Sequence, residues 1–176
     1  KDAKKDQAIN GCDPHKRTPF YQACKLGNIQ MMSLLLNGGA DINKAQCNGG
    51  SPLYITCQSR NYEAVQLLVT HNADPYIATQ QGATPLHITA QYGEIKIGKT
   101  LLEARKAWKE KHPDMKEDRR ASEAVSPVYL CAQNGFVEFL DLLLEYGEDP
   151  NHQIEENRGL TPLMIAVHND RYQCAK

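Results

Sequence analysis

Apolar positions along this chain come in paired short stretches and not in strict alternation. A first stretch opens behind a proline, in Pro19-Phe20, Pro52-Leu53, Pro85-Leu86, Pro127-Val128 and Pro162-Leu163. A richer one follows as Leu34-Leu35-Leu36, Leu67-Leu68-Val69, Leu101-Leu102 and Leu142-Leu143-Leu144. The spacing of Ile29, Met32, Leu35 and Leu36 puts them on one helical face, and Val65, Leu67 and Leu68, then Phe139, Leu142 and Leu143, occupy the same places farther on. Tyr54, Ile55, Leu130, Ile165, Ala166 and Val167 are the inward positions of the first stretches. Each unit therefore predicts two short helices. Thr18 is placed to cap the first of them, with Pro19 at the helical position where a missing N–H does no harm. Gly27 allows the chain to reverse after a helix ending near Lys25, and Gly38-Gly39 supplies a left-handed stop to the second helix. Asn72 takes that place in the next unit, since Asn tolerates the left-handed region.

The five prolines at 19, 52, 85, 127 and 162 are 33, 33, 42 and 35 residues apart. Thr84-Pro85-Leu86-His87 is the fullest form of the motif, and Thr18-Pro19-Phe20, Ser51-Pro52-Leu53, Ser126-Pro127-Val128 and Thr161-Pro162-Leu163-Met164 are its relatives. Turn sequences recur as Gly39-Ala40-Asp41-Ile42-Asn43, Ala73-Asp74-Pro75 and Gly147-Glu148-Asp149-Pro150-Asn151. A period of about 33 residues carrying T-P-L-H-x-A resembles the ankyrin-repeat family. The resemblance covers nearly the whole chain and implies an all-α solenoid of stacked helix-turn-helix units with projecting β-turn or hairpin fingers, here around 47–50 and 79–82.

On this reading residues 1–176 form a single solenoid. Residues 1–17 are the tail of a preceding or capping repeat, 18–50 and 51–83 are repeats, 84–125 is a repeat with an insertion, 126–160 is a repeat with two extra residues near Glu155-Glu156-Asn157, and 161–176 is a partial repeat. In the third copy Arg105-Lys106-Ala107 stands where the turn sequence belongs, so the second helix runs on through Trp108 to about Lys111, where Pro113 ends it. Residues 112–125 are expected to be a charged, solvated excursion, and the fifth copy to stop within its second helix, as an excerpt of a longer protein would.

The formal net charge of −1, from 20 basic and 21 acidic side chains, excludes an overall field that would attract nucleic acid or an anionic membrane. No run of about 18 apolar residues is present to insert into a bilayer, and Lys1-Asp2-Ala3-Lys4-Lys5-Asp6 lacks the apolar core of a signal peptide. The six cysteines have no disulfide or zinc-finger spacing. Cys24, Cys57 and Cys131 fall where other copies have small residues, so they read as small buried hydrophobes. That points to a reducing compartment, cytoplasmic or nuclear, or to a host cytosol for a secreted effector.

No nucleophile, base and orienting group are grouped in the sequence as an enzyme requires, and no cofactor is expected. His87 is matched by Tyr21, Tyr54, Tyr129 and Met164 in the other copies, which favours a structural role over catalysis; in ankyrin repeats this histidine hydrogen-bonds backbone near the turns. Cys12-Asp13-Pro14-His15 offers two ligands and no second pair for zinc. Asn48-Gly49-Gly50 lacks the Lys-Ser/Thr of a phosphate loop. His112-Pro113-Asp114 resembles the tripeptide of J-domain co-chaperones, but its flanks are committed to repeats.

The resemblance implies a pre-formed concave surface for a protein or peptide partner, on a monomeric scaffold. Its contacts are expected at His15, Arg17, Lys25, Leu26, Cys47, Asn48, Gln58, Ser59, Gln80, Gln81, Gln91, Tyr92, Gln133, Asn134 and Arg158, with Tyr92 as the aromatic anchor. Arg105, Trp108 and Lys109, with Arg119-Arg120, offer a second surface; alternatively Trp108 packs on its own helix. Asn43 and Asn151 resemble sites of an oxygen-sensing asparaginyl hydroxylase, or simply bridge the turns. Two rival functions remain: substrate recruitment for an enzyme such as a ubiquitin ligase, a transferase or a bacterial effector, and a structural spacer in a long array.

Overall fold

The computed structural model describes residues 9–116, 120–121, 124–152 and 159–175. Among them the chain forms nine α-helices and no strand: α1 Pro19–Leu26, α2 Ile29–Asn37, α3 Pro52–Gln58, α4 Tyr62–Thr70, α5 Pro85–Tyr92, α6 Ile95–Lys111, α7 Pro127–Asn134, α8 Val137–Glu145 and α9 Pro162–His168. The odd-numbered helices pack each against the next in one row, and α2, α4, α6 and α8 do the same in a second row. The fold is an all-α repeat solenoid. A main core runs between the rows through the first four copies, with Phe20, Leu53, Leu86 and Val128, each directly behind its proline, at most 1% exposed, and a smaller cluster of Tyr129, Ala132, Ile165 and Ala166 joins the last two first-row helices.

Local chemistry sets the helix starts. The side-chain oxygens of Thr18, Ser51, Ser126 and Thr161 accept from the N–H groups of Tyr21, Tyr54, Tyr129 and Met164, at 3.0, 3.1, 3.1 and 3.3 Å. Asn28 and Asn61 cap α2 and α4 in the same way. These bonds satisfy N–H groups that a first helical turn leaves without partners.

The chain reverses eight residues after each proline, at the end of each first-row helix, and uses positive φ there in all five copies. Gly27, Gly93 and Gly135 supply it in three (φ 65°, 69° and 82°), while Arg60 and Asp170 adopt φ 55° without that freedom. At the end of the second helix Asn72 takes φ 57°, as expected, but of the two glycines in the first copy only Gly39 turns left-handed (φ 94°); Gly38 stays helical at φ −78°. One residue suffices to reverse the chain there.

Three other expectations need correction. Ile29, Leu35, Leu36, Tyr54, Leu67, Leu130 and Leu142 are only partly buried at the margin of the core and Val167 is exposed, because a helix in a single row covers one side of each helix and leaves its flanks open. In the fifth copy residues 172–175 form a turn closed by bonds from Cys174 N to Arg171 O (2.9 Å) and Ala175 N to Tyr172 O (3.3 Å), not a second α-helix. The insertion is not wholly a solvated excursion: its far end returns to the array, with the Arg120 carbonyl and the Ala124 methyl lying against Gly82, whose φ of 81° and missing side chain admit them. Its near end is exposed, and α6 runs to Lys111 as the pattern required. The two extra residues near 155–157 lie outside the described residues. No described helix is long and apolar enough to cross a membrane.

Candidate functional site

Residues six and seven positions after each proline lie at the C-terminal ends of the first-row helices. Lys25, Leu26, Gln58, Ser59, Gln91 and Tyr92 are exposed there, while Gln133 and Asn134 are half-buried. Several of these side chains already serve the stack. The Ser59 hydroxyl donates to Lys25 O across the first two copies (2.9 Å), with Ile55 O at 3.0 Å as its alternative acceptor. Asn134 Nδ2 donates within its own helix to Leu130 O (3.0 Å), and Asn169 Nδ2 donates back to Gln133 O (3.2 Å).

Tyr92 differs from them. It is 42% exposed in the middle copy, with the Arg60 guanidinium 5.7 Å from its ring centre. Arg60 Nη1 also lies 3.8 Å from Glu94 Oε1, and its side chain remains 61% exposed. Tyr54 adjoins this group: burial, and then the Tyr92 phenol nearby, raise its pKa above the ordinary tyrosine value. The arrangement joins an aromatic face, a cation and amide donors on a pre-formed surface.

The fingers are turns tied to one another. Cys47 N donates to His15 O (3.0 Å) and Gln80 N to Asn48 O (2.8 Å), linking successive fingers by single backbone bonds. Gln80 Nε2 adds a bond to Cys47 O (2.9 Å), and Asn48 Oδ1 accepts from Gly50 N (2.9 Å). Arg17 is held within the first finger by Asp13, 2.6 Å from Nη2, and that hydrogen-bonded guanidinium holds the Asp13 carboxyl below its usual range. Gln80, Asn48 and Arg17 thus shape the fingers, whereas His15, Cys47 and Gln81 are exposed on them. Arg158 lies outside the described residues.

On the extension of α6, Arg105 and Lys109 face Tyr76, with Arg105 Cζ 4.6 Å and Lys109 Nζ 5.7 Å from its ring centre. Arg105 also pairs with Glu148 at 3.5 Å. Trp108 stacks on His112 at a centroid distance of 4.4 Å, on the wall of a cleft of about 530 Å³ shared with Asp74, Pro113 and Met115. Trp108 thus packs on the residue that caps its own helix and lines a cleft. Arg119 lies outside the described residues.

Asn43 Oδ1 accepts from Asp74 N (2.9 Å), and Asn10 Oδ1 accepts from Asp41 N (2.8 Å), so each ties its turn to the next. Asn151 N donates to Asp149 Oδ1 (2.8 Å) at an exposed turn. His87 is structural in its bonding: Thr84 N donates to Nδ1 (3.2 Å), and the Thr84 hydroxyl is 2.7 Å from the same nitrogen. With Nδ1 accepting, the neutral ring carries its proton on Nε2, which is buried without a partner among the described residues. Burial, with Arg105 and His152 nearby, drives the pKa down to about 4. Cys24, Cys57 and Cys131 are buried, and burial pushes each thiol up to about 12, far from the reactive thiolate range. No group of His, Cys, Asp or Glu among the described residues is arranged to hold a metal ion.

Two residues escaped sequence reading. Arg60 was signalled only by its place, where Gly27, Gly93 and Gly135 stand in other copies; Tyr76 stands where Asn10 and Asn43 stand, 33 residues apart in series. A family model described as ankyrin repeats (3 copies) matches residues 5–79, 39–112, 76–154 and 106–176. No curated protein matches the chain.

Proposed function

This chain belongs to the ankyrin-repeat family, whose repeats are generally protein–protein interaction modules, and we propose that it binds one partner protein across the first-helix ends of its second and third copies and the fingers at 47–50 and 79–82. The observation that carries this reading is Tyr92: a large aromatic, 42% exposed at mid-array, on a helix whose other face is locked in the core. Aromatic side chains in such settings dominate binding energy more often than their neighbours do. The surface is already ordered by the stack, so association need not order a loop or a folding segment. Exposed Gln58 and Gln91 offer amide donors and acceptors at the ends of the second- and third-copy helices, and Lys25 and Leu26 extend the surface into the first copy.

We take residues 1–176 as one array for this purpose, working as a monomeric scaffold with no cofactor. Ankyrin-repeat proteins are typically non-enzymatic binding modules, which agrees with this use. A second reading is favoured by the α6 extension: the Trp108–His112 stack and the cleft beside it form a separate candidate surface.

The test is a quantitative pull-down from cytosolic extract with the whole chain as bait, beside Tyr92→Ala and Trp108→Ala. Tyr92→Ala is expected to weaken retention of the principal partner by about 2 kcal/mol or more while leaving the thermal melt unchanged. Retention that ignores Tyr92→Ala but fails with Trp108→Ala transfers the site to the extension.

A further inference from the structure

We propose that Arg60, seated over Tyr92, is the receptor for a carboxylate side chain of the bound protein, so that the partner segment crossing the second and third copies is acidic. The proposal rests on the reading of the Tyr92 surface above and names the chemistry it selects.

Backbone conformation is the first argument. Three of the five reversals that follow the first-row helices use glycine, and the fifth uses Asp170, a residue type whose short polar side chain eases the left-handed region. Arg60 has no such local compensation, yet it holds φ 55°. Strain of this kind persists where surrounding structure enforces it, and it collects at binding sites. From this turn its side chain reaches over the ring of the next copy, 5.7 Å from its centre.

The second argument is the state of the guanidinium. Its nearest acid is Glu94, at 3.8 Å, outside hydrogen-bonding distance. The planar fork is thus held by a ring and steered by a loose ion pair, with its paired N–H donors still available. A carboxylate takes such a fork in two parallel bonds, a geometry that lysine does not offer.

Charge around the site agrees. Lys25 on the first copy adds a second cation, Gln58 and Gln91 are neutral, and Glu94 is the one acid in contact with Arg60 among the described residues. Lys96 is turned away over the Tyr62 ring, 3.8 Å from its centre, and so does not join the site. A partner that places an acid on Arg60 and an apolar neighbour on Tyr92 satisfies both halves.

A displayed library of random peptides, selected separately on the wild-type chain, Arg60→Glu, Arg60→Gly and Tyr92→Ala, tests this. The wild-type pool is expected to converge on an Asp or Glu at one register, and the Arg60→Glu pool on Lys or Arg at that register. Amidating the acid of the best wild-type peptide should cut its affinity at least about tenfold. Arg60→Gly should lose the acid preference while melting no lower than wild type, which separates recognition from folding. Peptides that need Tyr92 but are the same with Arg60→Glu overturn the carboxylate assignment and leave the surface reading intact. A pool that binds Tyr92→Ala equally, or no enrichment at all, overturns both.

Discussion

The second and third copies begin alike and end differently. In the second, α4 stops at Thr70, Asn72 turns left-handed at φ 57°, and Asp74 N is tied to Asn43 of the first copy. In the third, Arg105 stands at the place of Asn72, α6 continues to Lys111, and the place of the tying asparagine is held by Tyr76. Tyr76 holds the added helix instead: its hydroxyl lies 3.4 Å from Arg105 O and its ring receives Arg105 and Lys109. The difference teaches that the array tolerates loss of a turn when the cross-copy tie changes with it. An asparagine suits a turn with free N–H groups, whereas a helix has spent its N–H groups internally and needs a ring to rest on.

The two copies also differ in their shared core. Gly98 on α6 leaves room for the Phe139 ring, which a side chain there would strike, whereas Val65 and Ile97 occupy these positions one copy earlier. Gly98→Val is expected to cost about 3 kcal/mol in urea unfolding, as overpacking of a closed core does. Adding Phe139→Ile, which installs the earlier pair, should recover most of that loss; failure to recover would mean that the backbones of the two interfaces differ.

A pH comparison separates the two motif residues, Tyr54 and His87. The folded pKa of His87 is about 4, below the ordinary 6.5, so the unfolded chain holds more protons between those values. Stability is therefore complete above about pH 6.5 and declines as pH falls towards 4. Between pH 7 and pH 5 this histidine should remove about 2 kcal/mol of unfolding free energy. His87→Tyr, which copies the second unit, is expected to abolish that part of the slope.

The exchanged tie can be broken directly. Tyr76→Asn restores the residue of the earlier copies opposite a helix that has no turn to receive it, and should cost about 1.5 kcal/mol. The loss should be local, with faster amide hydrogen exchange from Trp108 to Lys111 and little change in α3 or α4. Uniform acceleration would show that the extension is not held by Tyr76.

The smallest effect concerns Arg60. Relief of left-handed strain by Arg60→Gly is worth about 1 kcal/mol, against about 0.5 kcal/mol for the lost ring contact and less for an exposed ion pair. A net gain of less than about 0.5 kcal/mol in chemical unfolding is expected, and a clear loss would make the arginine structural.

Repetition made much of this molecule legible. Comparison among copies fixes Thr18, Ser51, Ser126 and Thr161 at helix starts, and the lack of a turn at Arg105 predicts the run to Lys111 that α6 shows. The buried places of Cys24, Cys57 and Cys131 follow equally from alignment of the copies. These features depend on bonds within four or five residues or on a period counted along the chain. Sequence also pointed to the polar ends of the first helices and to Tyr92.

Tertiary structure decided what those residues touch. Ser59 and Gln80 looked like free contacts until they were seen bonded to Lys25 O and Cys47 O, 34 and 33 residues away. Arg60 over Tyr92, Arg105 and Lys109 on Tyr76, and Gly98 against Phe139 all join residues of different copies. Helix identity and spacing are local consequences of propensity, capping and hydrophobic period, and the chain states them by itself. The pairing of one side chain with another depends on how neighbouring copies rotate and approach, which is set by packing across the stack and exists only once the stack has formed.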